Sequence, residues 1–117
     1  MPSPKSLSRT TPSVVSASTI TSSLLTVQTS GAGFTDLTAE VAKFVTDARA
    51  REGAVTLFIR HTSASLTIQE NADPTVLDDL LTALGRLALG NWQAIYLIEH
   101  RRAPHRREVV LQFAGRI

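Results

Sequence analysis

AVTLFIRHTSASLTIQ, Ala54 to Gln69, holds two runs of alternating side chains separated by a hydroxyl-rich break, and its reading decides the fold class. Successive side chains of an extended strand point to opposite faces, so Val55, Leu57 and Ile59 share one side and Thr56, Phe58 and Arg60 the other. Both sides are largely apolar, which marks 54–61 as the expected central strand of a sheet. Ser65 to Gln69 is a second, shorter strand. Just downstream, Asp73 and Pro74 combine an N-cap acid with proline at the first helical position, predicting a helix from Pro74 to about Leu84 that buries Leu77, Leu80, Leu81 and Leu84.

Working outward, Ile20 to Thr29 ends in an alternation of Leu25 and Val27 and reads as the first strand. Ser30, Gly31, Ala32 and Gly33 supply a turn. Thr35 or Asp36 then caps a helix whose Leu37, Val41, Phe44, Val45 and Ala48 fall on one face, expected to run to about Arg51 and stop at Gly53. In the last third, Asn91 to His100 alternates again, and Glu108 to Phe113 is expected to pair with it as a hairpin. The connection Arg101 to Arg107 contains proline and reads as a loop. These elements predict an α+β fold, a single domain with a largely antiparallel β-sheet and two or so helices. Residues 1–19 show no sustained period and are expected to be a flexible N-terminal tail, with 20–117 as the folded domain. Lys5 and Arg9 among many Ser and Thr give that end a superficial likeness to a transit peptide, but a flexible extension accounts for the same composition.

The 117 residues suit one core, in a chain small enough to gain from oligomerisation. A hydrophobic share of 43% with 19% charged residues is that of an ordinary globular chain, and no apolar run is long enough to cross a bilayer. With no cysteine, disulfides, thiolate zinc sites and cysteine nucleophiles are excluded, and the cytoplasm is the default location. Charge is uneven: residues 35–84 hold eight acids and four bases, whereas 85–117 hold two acids and six bases. The C-terminal third is therefore the anion-attracting part. A net charge of only +2 and few aromatics argue against a nucleic-acid surface.

The candidate chemistry clusters between His61 and Asn71. His61 stands where a strand ends, a place from which a side chain reaches a cleft on rigid support, and its imidazole can serve as acid, base, metal ligand or anion partner. A histidine held there for structural reasons explains the position equally well. Thr62, Ser63 and Ser65 add small hydroxyls that can surround a phosphate together with loop N–H groups. A Ser/His nucleophile pair is disfavoured, because no nucleophile elbow surrounds either serine and no acid is fixed to orient His61. Asn71 suits a turn as well as a pocket, Asp73 is mostly a helix cap, and Asp78 and Asp79 diverge by about 100° on a helix. Arg101, Arg102, His105, Arg106 and Arg107 make a basic loop that can attract phosphate, or equally form a solubilising or intersubunit element. The three histidines have no helical zinc spacing, so a divalent metal is only a candidate cofactor, with His61 its one suggested ligand.

RHTSASLTIQENADPTVLDDL together with GRLALGNWQAIYLIEHR resembles the YjbQ family, also called UPF0047, whose members are described as secondary thiamine-phosphate synthase enzymes. The similarity runs from about Leu24 to Gly115. It implies an α+β fold, a compact homotrimer and a pocket to which the histidine of the HTSAS motif, here His61, contributes. The implied activity is weak thiamine phosphate formation, joining a hydroxymethylpyrimidine pyrophosphate to a thiazole phosphate, with His61 catalytic and Thr62, Ser63, Ser65, Asn71 and Arg101 binding a small phosphorylated ligand. The alternative is a non-catalytic trimeric protein that binds an anion or phosphorylated ligand. One departure stands out: the family pattern has a long segment, with histidines and a DDMPAHIK-like stretch, between the DPTV helix and the GRLALG strand, whereas here Leu84 leads directly into Gly85 and Arg86. GNWQ in place of GTWQ is a smaller departure.

Overall fold

The first strand forms where its alternation places it. In a computed structural model, which describes residues 6–70, 89 and 93–117, β1 spans Thr19–Thr29. β2 (Gly33–Asp36) follows, then α1 (Thr38–Asp47), β3 (Glu52–Ile59), β4 (Ala64–Glu70), β5 (Gln93–Glu99) and β6 (His105–Arg116). The expected helix at Pro74–Leu84 lies outside the described residues, as do Asn71, Asp73, Asp78, Asp79 and Trp92. Residues 6–18 form no helix or strand.

Two three-stranded sheets form, ordered β1-β6-β3 and β2-β5-β4, with every pairing antiparallel. This is the α+β class read from the sequence, but several expectations about pairing and boundaries fail. The segments 91–100 and 108–113 are not a hairpin: β6 lies between β1 and β3, and β5 between β2 and β4. The short turn after Glu99 carries the chain from one sheet to the other. Nor is β3 central; it is an edge strand, and Phe58 on it is 61% exposed. The basic segment is not all loop either, since β6 begins at His105, directly after Pro104, whose missing N–H bars it only from a paired position.

α1 has the expected face, with Leu37, Val41, Phe44, Val45 and Ala48 all buried. It ends at Asp47, short of Arg51, where Arg49 takes a left-handed φ of 55° and turns the chain into β3. Its start is stitched to β5. Asp36 Oδ1 accepts from Thr38 N at 2.9 Å, Leu37 N donates to Ile95 O at 2.8 Å, and Thr38 Oγ1 accepts from Ile95 N at 2.8 Å. Gly53 serves β3 instead of stopping the helix: a Cβ there would lie 2.3 Å from the Ala114 carbonyl oxygen, so only glycine lets the β3 backbone approach β6 so closely. Ile95 and Leu97 of β5, Val109, Leu111 and Phe113 of β6, Val27 of β1 and the helix face share one core.

Candidate functional site

The antiparallel registers bring the ends of β1, β3 and β5 and the starts of β4 and β6 to one pole of the molecule. Alternation then sorts the polar side chains there. Glu99 follows Ile95 and Leu97 on the inward parity of β5, and Arg107 precedes Val109 and Leu111 on that of β6, so the two charges meet inside. Their side chains are 1% and 4% exposed.

Arg107 donates from Nε to Glu99 Oε1 at 2.7 Å and from Nη2 to Oε2 at 2.5 Å. Glu99 also accepts from Thr29 Oγ1 at 2.7 Å and from the Arg101 backbone N–H at 3.2 Å, while Arg107 Nη2 reaches Ser63 Oγ at 2.8 Å. The guanidinium beside it, helped by the Thr29 and Arg101 bonds, holds the Glu99 carboxyl far below the ordinary carboxylate range against the opposing effect of burial. Glu99 in turn raises Arg107. Among the described residues no buried side-chain nitrogen or oxygen lacks a partner, as a buried ion pair requires. In this anchoring network both Glu99 carboxylate oxygens and the Nε and Nη2 groups of Arg107 are occupied.

The residues singled out in the sequence separate around it. Ser63, in a bend just before β4, belongs to the anchor through Arg107. His61 Nε2 accepts from the Glu108 backbone N–H at 3.1 Å, taking over where the β3–β6 ladder ends at Ile59 and Val109. With Nε2 as acceptor, the neutral ring carries its proton on Nδ1, and Nε2 is committed to structure. Thr62 is exposed. Ser65, on the parity opposite Ala64, leaves the interior and meets a histidine that no spacing in the sequence pairs with it: its Oγ lies 2.5 Å from His100 Nε2. Arg101 touches Glu99 only through its backbone, so its side chain, like those of Arg102 and Arg106, stays exposed and makes no ion pair among the described residues. Asn71 lies outside those residues.

Thr29, Glu99 and His100 are not among the site residues read from the sequence, and Arg107 enters there only as part of a phosphate-attracting loop, not as an interior anchor. A signal exists for two of these four. A lone acid and a lone base, each in phase with the buried positions of an apolar strand, are expected to face inward and therefore to need each other. No comparable signal links His100 to Ser65, since 35 residues separate them. No group of three or more potential ligands able to hold a metal occurs among the described residues, nor any helix there long and apolar enough to cross a membrane. An apolar cleft of about 240 Å³ between β3 and β4, lined by Leu57, Leu66, Thr67, Ile68 and Ile95, contains none of the candidate residues.

Comparison with known proteins gives a consistent picture. The family model described as UPF0047 protein YjbQ-like matches residues 23–88. UPF0047 protein sll1880 of Synechocystis is 33% identical over 134 positions that take in 80% of this chain and 91% of the relative, and YjbQ of Escherichia coli O157:H7 is 30% identical over 78% and 95%. A crystal structure from Clostridium acetobutylicum, described as an uncharacterized conserved protein of the yjbq/upf0047 family, superposes with a TM-score of 0.63 at 28% identity, covering 77% of this chain and 98% of that one. The Synechocystis alignment spans 134 positions but uses 80% of the 117 residues here, about 94, so about 40 positions have no counterpart in this chain. The relative is thus longer than this chain within the aligned region.

Proposed function

We propose that this chain, which belongs to the UPF0047 YjbQ-like family, binds a small phosphorylated ligand at the pole where its strands end. One observation carries the reading: the turn after Glu99 is pinned by the Glu99–Arg107 anchor, yet Arg101, Arg102 and Arg106 beside it are exposed and free of carboxylate partners among the described residues. Fixed backbone bearing unpaired guanidinium groups suits phosphate, which arginine can grip through two parallel hydrogen bonds. In the family context the specific reaction is weak thiamine-phosphate synthase transfer within a homotrimer. The bond from the pyrimidine methylene carbon to the pyrophosphate oxygen breaks, the thiazole nitrogen takes that carbon, and positioned cations offset the charge of the departing pyrophosphate.

A second reading, binding without turnover, draws support from the internal positions that the Synechocystis relative has and this chain lacks. Calorimetry with inorganic pyrophosphate, paired with a product assay on the two thiamine-phosphate precursors, separates the readings. Binding that weakens about tenfold in Arg101→Ala, together with product formation, supports transfer, as expected for loss of a charge-assisted contact. Binding without product leaves the second reading, and the absence of both binding heat with pyrophosphate and product removes both.

A further inference from the structure

Ser65 and His100 lie on the face of the β2-β5-β4 sheet opposite the buried anchor. Their geometry is set by strand pairing. Ser65 stands opposite Ile98 on β5, and Ile98 stands opposite Phe34 on β2, so the three form one cross-strand row. His100 follows β5, and its backbone N–H donates to Ser63 O at 3.2 Å. The serine hydroxyl and the imidazole are thus held by paired backbone at both ends, the support that a reactive pair needs. The 2.5 Å contact from Oγ to Nε2 is within reach for proton transfer. Next to the pair the surface is apolar and open: Phe34 is 63% exposed and packs edge-on to Tyr96 with ring centroids 5.8 Å apart.

We propose that Ser65 and His100 form a nucleophilic pair that accepts acyl groups from small carboxylic esters, whose apolar part lies over Ile98 and Phe34. Ser65 Oγ bonds to the ester carbonyl carbon while His100 Nε2 takes the hydroxyl proton. The bond to the leaving oxygen then breaks, and the alcohol departs with the proton from Nε2. Water attacks the acyl-serine, its proton passes through Nε2 to Ser65 Oγ, and the carboxylic acid is released. Glu99, the acid adjacent in sequence, is committed to Arg107, so the pair works as a dyad and its turnover is slow. This inference rests on the Ser65–His100 contact and not on the arginines proposed to bind phosphate at the same pole.

The test treats the full chain with an alkyl fluorophosphonate, locates the adduct by peptide mass spectrometry, and follows p-nitrophenyl butyrate hydrolysis. One adduct per chain is expected on Ser65, absent in Ser65→Ala and formed about 100-fold more slowly in His100→Gln, the scale of general-base assistance. Phe34→Ala is expected to slow the butyrate ester several-fold while sparing the acetate ester. Because the chain has no cysteine, Ser65→Cys introduces a single thiol, which should react with iodoacetamide faster than in Ser65→Cys/His100→Gln. An adduct on another residue, labelling unaffected by His100→Gln, or hydrolysis undiminished in Ser65→Ala would overturn the proposal; the last would mean an exposed imidazole acting alone.

Discussion

Glu99 and His100 are neighbours in the chain and opposites in role. Glu99 points inward, is 2% exposed and accepts hydrogen bonds from Thr29, Arg101 and Arg107. His100 is exposed and, among the described residues, its imidazole meets the Ser65 hydroxyl. One step of strand alternation therefore divides a polar pole into an interior part that fixes geometry and an outer part left open to ligands. Saturation distinguishes the two: a buried charge with all its partners in place has nothing left to offer a substrate, whereas an exposed pair retains capacity.

The largest effect expected to break this contrast comes from Arg107→Ala, which strands the Glu99 carboxylate inside. The melting temperature should fall by about 10 °C or more. Replacing both partners with apolar residues, Glu99→Leu with Arg107→Met, should recover much of that loss; equal destabilisation by the single and double variants would show that the charges do more than satisfy each other.

Acid titration sharpens the same contrast. Because the folded-state value of Glu99 is depressed, its contribution is whole above the ordinary carboxyl value of 4.5 and is lost progressively as pH falls below it toward the folded value. Glu99→Gln should therefore be less stable than the parent at pH 7, with a gap that narrows below about pH 4 in urea melts. A constant gap across that range would disprove the assignment.

Thr38 tests the interior away from the ion pair. Thr38→Ala leaves the buried Ile95 N–H without its acceptor and should cost about 1–3 kcal/mol by denaturant titration. The smallest effect belongs to the outer pair: Ser65→Ala and His100→Gln should each change stability by no more than about 0.5 kcal/mol. A larger loss in either would make the outer pair a second anchor.

Much of the fold is legible in the sequence because it depends on local periodicity. The α1 face from Leu37 to Ala48, the alternation in β1 and β3, and the strand following His61 all follow from 3.6-residue and two-residue periods. β2 is not legible: Gly33–Asp36 is too short to show a period, and its residues suit a turn and a helix cap equally well. The site is legible only in part. HTSAS marks the pole, but its side chains diverge, His61 to the Glu108 backbone, Ser63 to Arg107 and Ser65 to His100.

By itself the sequence determined which side chains of each recognised strand share a face, Glu99 with Ile95 and Leu97 among them, because alternation is a property of the extended backbone; that Arg107 belongs to a strand at all was decided by pairing, which starts β6 at His105. The tertiary structure alone decided which strands became neighbours. A short turn can close a hairpin or cross between sheets, and here the crossing is matched by the close approach of Gly53 to β6 and by the meeting of Glu99 and Arg107 across the interior. That choice separated Ser65 and His100 from the anchor and left them together on the open face.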